Sequence, residues 1–281
     1  MSAARLGARL PGRRAFVTGA GSGLGLALAT LLARDGWTLG ILDREADRLD
    51  AARITVTAAG ARAVHCYVSD VTDEASFGAA VNGYVEASGG LDFMINNAGV
   101  AVAGSIAETP LADWRWALEI NVVGVALGSR LALGPMQRDD RGLILNIASA
   151  AAFAAAPGMS AYNASKAAVV ALTETLAAEL YGSGVRTMVA MPGFFPTRLL
   201  ETMRAPPAGL SMARKLMDRS DYSAEKVAAA MLDAAAAGRL YVVLPPGYVK
   251  LWRLKRWLPE FFMRRLGRMR AHATTRRASH P

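Results

Sequence analysis

The sequence predicts an α/β fold: a single-domain, doubly wound parallel sheet of about seven strands with helices on both faces. Three observations lead there. Short apolar segments bounded by glycine, charge or Asx residues alternate with longer segments of helical character, as expected of buried parallel strands joined by crossover helices. The first of these segments runs straight into a glycine-rich loop followed by a helix. The chain has 281 residues and is 53% apolar, which suffices for one large core and does not fit a disordered protein.

The opening unit is Ala15-Phe16-Val17-Thr18, then Gly19-Ala20-Gly21-Ser22-Gly23-Leu24-Gly25, then a helix from Leu26 to Arg34 closed by Gly36. Glycines permit a tight turn and let backbone N–H groups approach a pyrophosphate, which the helix N-terminus favours electrostatically. The second strand, Thr38 to Leu42, ends at Asp43, 24 residues after Gly19. A carboxylate at that strand end is placed to accept hydrogen bonds from an adenosine ribose and repels a 2′-phosphate, which favours NAD over NADP. Arg44 pulls the other way, since a guanidinium there can grip a 2′-phosphate; its alternative is a surface charge flanking a helix.

The pattern repeats with a helix over Glu45 to Ala59, a strand Ala63 to Val68 ending at Ser69-Asp70-Val71, a helix Asp73 to Ala87 and a strand Leu91 to Ile95. Asn96-Asn97-Ala98-Gly99 follows. In a doubly wound sheet ligands bind at the carboxyl ends of the strands, so Asp70, Val71 and this Asn-Asn turn can line a cofactor crevice. Local Asx hydrogen bonding is the competing explanation for both. A long helix from Leu111 to about Ala132 carries Asn121 among Ile120, Val122 and Val123, where a buried, polar-paired asparagine is expected. The fifth strand, Leu143 to Ile147, leads to Ser149, 13 residues before Tyr162, and Ser160 reads as a helix N-cap. The sixth strand, Val185 to Met191, ends at Pro192-Gly193, with Thr197 beyond. A helix Ala224 to Ala237 and a strand Leu240 to Leu244 complete the core.

Tyr162 and Lys166 are four apart on a helix, hence on one face. A cation near 4 Å at an effective dielectric near 20 stabilises phenolate by roughly 4 kcal/mol, about three pKa units, which would make Tyr162 a general acid/base near neutral pH.

Together these residues resemble the short-chain dehydrogenases/reductases, whose fold is of the Rossmann type. The matches are Thr18-Gly19-xxx-Gly23-x-Gly25, Asp70, Asn96-Asn97-Ala98-Gly99, Asn121, Ser149, Tyr162-xxx-Lys166 and Pro192-Gly193-xxx-Thr197, in the family's order and spacing from residue 13 to about 245. The resemblance implies that Tyr162 exchanges a proton with the substrate oxygen while hydride passes to or from the nicotinamide, and that Ser149 bonds the same oxygen. It also implies that Lys166 lowers the tyrosine pKa and holds the nicotinamide ribose, and that Asn121 positions a water. Gly19, Ser22, Gly23, Leu24, Gly25, Asp43, Arg44, Asp70, Val71, Asn97, Ala98, Gly99, Tyr162, Lys166, Pro192, Gly193 and Thr197 become the expected cofactor contacts. A homo-oligomer, dimer or tetramer, is expected on the same ground.

In that family the segment after the sixth strand covers the substrate. Here Phe194 to Ser220 brings Phe194, Phe195, Leu199, Leu200, Met203, Leu210, Met212, Leu216 and Met217, and an alanine-rich stretch with Phe153 follows Ser149. A roomy apolar pocket follows, suited to a hydrophobic alcohol or ketone of steroid, retinoid, terpenoid or long-chain type. A 3-oxoacyl thioester reductase and a non-catalytic dinucleotide-binding module are the alternatives.

Cys66 is the only cysteine, so no internal disulfide or thiolate-rich metal site is expected, and His65, His272 and His280 are too scattered for a ligand cluster. The basic residues before Arg14 read as a short leader without an apolar core, and no apolar run reaches the ~18 residues of a spanning helix, so a cytoplasmic protein is expected. The net charge of +9 sits entirely on the end of the chain: residues 250–281 hold ten Lys or Arg against one acid, and the rest balances. A neutral body argues against nucleic acid as a partner. Residues 1–247 therefore read as the dinucleotide-binding catalytic domain and 248–281 as a basic, aromatic extension. Pro259 splits the extension into two amphipathic pieces suited to peripheral membrane contact or to packing on another subunit.

Overall fold

The computed structural model describes residues 2–278, with side-chain surroundings over residues 6–269. Seven parallel strands form one sheet in the order β3-β2-β1-β4-β5-β6-β7. They are β1 (Arg14–Thr18), β2 (Thr38–Asp43), β3 (Ala63–Val68), β4 (Phe93–Asn96), β5 (Gly142–Ile147), β6 (Val185–Pro192) and β7 (Tyr241–Leu244). The order runs outward from β1 in one direction and from β4 in the other, so the chain reverses between those two strands. Connections leave the sheet in opposite directions on either side of this point and open a crevice at the strand ends.

Successive side chains on each strand point to opposite faces, and the core divides accordingly. Ala15, Val17, Phe93 and Ile95 join one buried layer. Phe16 and Met94 join the other. The first layer packs against α2 (Gly23–Ala33), α3 (Ala46–Ala58) and α10 (Ala224–Ala236). The second packs against α4 (Glu74–Ser88), α6 (Gly124–Arg138) and the end of α8 (Ser160–Glu179), while the short α7 (Ala151–Ala154) precedes α8 and α9 (Pro207–Asp218) precedes α10. Strands buried on both faces explain why the apolar runs read as continuous rather than alternating.

Three local expectations are corrected. The residues expected to form a basic leader form α1 (Ser2–Arg9), and Leu6 and Leu10, four apart, are buried in the core. The helix expected from Leu111 to Ala132 is α5 (Leu111–Leu118), a π-helical turn (Glu119–Val123) and then α6, so Asn121 lies in a widened turn of the kind found at functional sites. This stretch, Leu111–Arg138, is the one segment among the described residues long and apolar enough to cross a membrane by length and composition, and half of its most apolar 18-residue window is buried inside the fold. Finally, Ser160 does not cap α8. Met159 holds the cap position and Ser160 is the first helical residue, its N–H directed to the Gly104 carbonyl at 3.4 Å.

Pro259 separates α11 (Gly247–Trp257) from α12 (Pro259–Ala278). Tyr248, Val249 and Trp252 of α11 pack against the layer formed by Phe153, Val189 and Val243. Residues 279–281 of the expected extension lie outside the described residues.

Candidate active site

The cleft at the carboxyl ends of the strands measures about 410 Å³. Each strand end delivers its expected residues to it. Gly19, Ser22, Gly23 and Leu24 arrive after β1, Asp43 and Arg44 after β2, and Asp70 and Val71 after β3. Asn97, Ala98 and Gly99 follow β4, while Pro192, Gly193 and Thr197 follow β6. Ser149, Tyr162 and Lys166 complete the wall from β5 and α8. Gly25 and Asn121 do not line the cleft; both act behind it.

The glycine loop has a steric cause. A Cβ on Gly25 would stand 2.2 Å from the Gly19 carbonyl oxygen and 2.6 Å from the Asn97 amide nitrogen, so α2 can approach the loop only with glycine there. Thr18 and Asn97 lock the two halves of the sheet together at the point of reversal. The Thr18 hydroxyl accepts from the N–H of Asn97 and of Ala98, both at 3.0 Å, and the Asn97 amide donates to the Thr18 carbonyl at 2.9 Å and to that of Gly19 at 3.1 Å. Asn97 is thus a brace for the loop as well as part of the wall. Ser22 caps α2 without a side-chain bond to its first turn, which leaves that turn's N–H groups to the cleft.

Asp43 uses one carboxylate oxygen to accept from the Gly21 N–H at 2.9 Å and the other from the Glu45 N–H at 3.2 Å. The Arg44 side chain is half exposed, its nearest acid being Glu45 at 3.9 Å. Arg48, which the sequence reading missed, lines the same end of the cleft, held by Glu45 at 2.8 Å and Glu201 at 3.2 Å. Asp70 is occupied by Thr72, accepting from its N–H at 2.9 Å and its hydroxyl at 2.8 Å. Thr197 caps a short 3-10 turn through Leu199.

At the reacting end Tyr162 is buried beside Ser149, whose hydroxyl is directed to the Pro192 carbonyl at 3.4 Å. Ser149 also accepts from the Ala151 N–H at 3.2 Å. The Lys166 ammonium lies 5.9 Å from the centre of the Tyr162 ring and donates to the Ile147 carbonyl at 2.9 Å. The helical spacing does bring the two together, but the expected electrostatic effect is corrected. Burial pushes the Tyr162 phenol up, opposed by the neighbouring Ser149 hydroxyl, and burial lowers Lys166 to about 8. Taking charges out of water outweighs an ammonium that is not in hydrogen-bond contact with the phenol.

Asn121 is fully buried. Its Oδ1 accepts from the Val100 N–H at 2.9 Å, and its amide donates to the Val100 carbonyl at 2.9 Å and the Ser165 hydroxyl at 3.0 Å. Ser165 in turn donates to the Tyr162 carbonyl at 2.8 Å. The side chain therefore ties the segment after β4 to the helix that presents Tyr162 and Lys166.

The far wall is apolar. Phe194, Phe195, Leu199, Leu200, Met203 and Met217 reach the cleft, whereas Leu210, Met212 and Leu216 do not, and the last two are exposed. Met159 and Ala213 join them, and so do Tyr248, Leu251 and Phe262 from α11 and α12. The sequence reading assigned those three to the extension, and nothing local marks them as lining. Gly193 does carry a trace of the contact, because a Cβ there would stand 2.6 Å from the Tyr248 ring.

The sequence matches the short chain dehydrogenase family model over residues 13–208. The chain belongs to the short-chain dehydrogenase/reductase family. It is 35% identical over 234 residues to a 2-(R)-hydroxypropyl-CoM dehydrogenase of Xanthobacter autotrophicus, covering 82% of this chain and 94% of that protein. It is 36% identical to a 3-alpha-(or 20-beta)-hydroxysteroid dehydrogenase of Mycobacterium bovis, covering 69% and 73%. A short-chain dehydrogenase/reductase from Burkholderia phymatum, solved in complex with NAD, superposes with a TM-score of 0.82 at 33% identity, covering 86% of this chain and 92% of that one. The protein is accordingly an oxidoreductase acting on CH–OH groups.

Proposed function

We propose that this short-chain dehydrogenase/reductase interconverts a hydrophobic secondary alcohol and its ketone with NAD, using Tyr162 as the proton-transfer group. The observation that carries this reading is the set of side chains at the cleft: Tyr162 and Lys166 buried side by side, half-buried Ser149 next to the phenol, and an aliphatic and aromatic wall facing them.

The residues fit a dinucleotide. The close approach of α2 to the Gly19 loop, the uncapped first turn of α2 and the Asp43 carboxylate supply a pyrophosphate cradle and a ribose acceptor. When bound, the nicotinamide supplies the hydride acceptor or donor and, when oxidised, a positive charge. In the oxidative direction Tyr162 would act as the phenolate, its own proton lost to solvent beforehand, a form favoured by the Lys166 ammonium and by the positive charge of bound oxidised nicotinamide. It would then take the hydroxyl proton of the substrate as the carbon gives its hydride to the dinucleotide; in reduction the neutral phenol gives its proton to the carbonyl oxygen. Ser149 hydrogen-bonds the same oxygen and stabilises the charge that builds on it. Lys166, held by the Ile147 carbonyl, keeps a cation at the base of the site and would hold the nicotinamide ribose. Both amide protons of Asn121 are engaged, by the Val100 carbonyl and the Ser165 hydroxyl, so its side chain serves here to hold the helix that presents Tyr162 and Lys166.

NAD is favoured over NADP because both Asp43 oxygens are fixed at the ribose end while Arg44 is half exposed. An apolar substrate is favoured by Phe153, Leu199, Met203 and Met217 in the wall. Initial rates followed at the nicotinamide absorbance, with NAD or NADP and a panel of cyclic and long-chain secondary alcohols against polyols, test both. Expected is a kcat/KM at least about tenfold higher for the apolar alcohols and for NAD. Best turnover with polyols would overturn the substrate assignment, and preference for NADP that of the cofactor.

A further inference from the structure

The positive excess of the chain is not used in the cleft. It sits on residues 250–281, with Glu260 as the one acid there. α11 and α12 set this charge beside exposed apolar side chains. At the corner between the two helices Trp257 is 80% exposed, Leu258 54% and Phe261 47%. Single exposed apolar residues are ordinary, but a group at one corner marks a contact surface. Phe261, Arg264, Arg265 and Arg268 continue the patch along one face of α12, at spacings of three, four and seven, and line one shallow hollow. Glu260 reaches Arg264 at 3.4 Å, and among the described residues no carboxylate pairs with Arg253, Arg265 or Arg268.

We infer that α11 and α12 form an interfacial anchor that docks on an anionic lipid bilayer. Trp257, Leu258 and Phe261 enter the boundary between headgroups and acyl chains, and the guanidinium groups of Arg264, Arg265 and Arg268 meet lipid phosphates. Two features select this occupant. A second copy of the chain joined through this face about a twofold axis would set two uncompensated cationic surfaces against each other. An anionic polymer would satisfy the guanidinium groups but leave the corner in water. A bilayer offers negative charge and an apolar phase within the depth of one helix.

The same helices reach the active site, since Leu251 and Phe262 line the cleft. Docking therefore brings the mouth of the cleft to the membrane surface, where a substrate dissolved in lipid enters without crossing water. This delivery step rests on the apolar-substrate reading above; the docking itself does not.

The test is cosedimentation of the full chain with phosphatidylcholine vesicles, and with the same vesicles containing about one-third phosphatidylglycerol. Binding is expected to be at least about tenfold tighter to the anionic vesicles and to weaken with salt. Trp257→Ser with Phe261→Ser should weaken it about tenfold, and so should Arg264→Gln, Arg265→Gln and Arg268→Gln together. Absence of binding, or binding indifferent to lipid charge and to both sets of changes, would overturn the anchor. So would light scattering that shows a dimer in the parent chain and monomers in the variants. Delivery is read separately. The variants should turn over water-soluble cyclohexanol normally and a vesicle-dissolved long-chain secondary alcohol several-fold more slowly. Equal rates on the long-chain alcohol, with vesicle binding lost, would overturn delivery alone. Failure of the parent chain on both alcohols would overturn the substrate reading and leave the sedimentation result standing.

Discussion

Lys166 should destabilise the protein that depends on it, and the size of the effect follows from its burial. Burial lowers its pKa from 10.5 to about 8, and each pKa unit corresponds to about 1.4 kcal/mol, so carrying the charged form below pH 8 costs the fold about 3 kcal/mol. The sign follows from proton counts. Between pH 8 and 10.5 the unfolded chain binds the proton that the folded chain has released, so this contribution to stability rises with pH across that window. Lys166→Met removes the cost. It also removes the donor to the Ile147 carbonyl, and leaving that acceptor unpaired costs about 1–2 kcal/mol. At pH 7 the inactive variant should therefore be the more stable protein by about 1–2 kcal/mol. By pH 10.5 the difference should have moved by about 3 kcal/mol in favour of the parent. Urea unfolding of both proteins without dinucleotide, followed by tryptophan fluorescence at the two pH values, measures this double difference. A difference that does not change with pH, or that moves in favour of the variant, would refute the claim that Lys166 is held against its desolvation.

Other residues give independent tests. Gly25→Ala drives a methyl into the Gly19 carbonyl, a backbone atom with nowhere to move, and should cost about 1–3 kcal/mol in thermal unfolding together with most dinucleotide affinity by calorimetric titration; parent-like values for both would contradict the cradle. Gly193→Ala meets the Tyr248 ring, so kcat/KM should fall, and recover in part when Tyr248→Ala is added; equal loss in the double variant would separate α11 from the site. Asp43→Asn keeps an acceptor but removes the charge that repels a 2′-phosphate, and the ratio of NAD to NADP specificity should fall about tenfold. An unchanged ratio would move the selectivity to another residue.

The sheet was legible because its strands are buried on both faces and carry their punctuation with them. Gly19, Asp43, Asp70, Asn97 and Pro192 each stand at a carboxyl end, where a strand must release its chain into a turn, and each turn carries the residues of the cleft. What was missed depends on contacts between distant parts of the chain. Leu6 and Leu10 look like leader residues until the core receives them. Leu251 and Phe262 lie more than thirty residues beyond the Phe194–Ser220 segment whose wall they complete. Asn121 was marked as buried and paired, but its partners, Val100 and Ser165, depend on a π-helical turn that no local pattern announces. The phenol acidity failed for a different reason: a spacing of four residues places Lys166 near Tyr162, but the balance of desolvation against charge depends on how deeply both are buried.

Everything said of the chemistry passes through one hydroxyl, and Tyr162→Phe removes only that. With an apolar secondary alcohol and saturating NAD, turnover should fall by at least about a hundredfold, the usual contribution of a positioned acid/base group. Dinucleotide affinity by calorimetry should stay within about twofold of the parent. Turnover close to that of the parent would contradict the account directly.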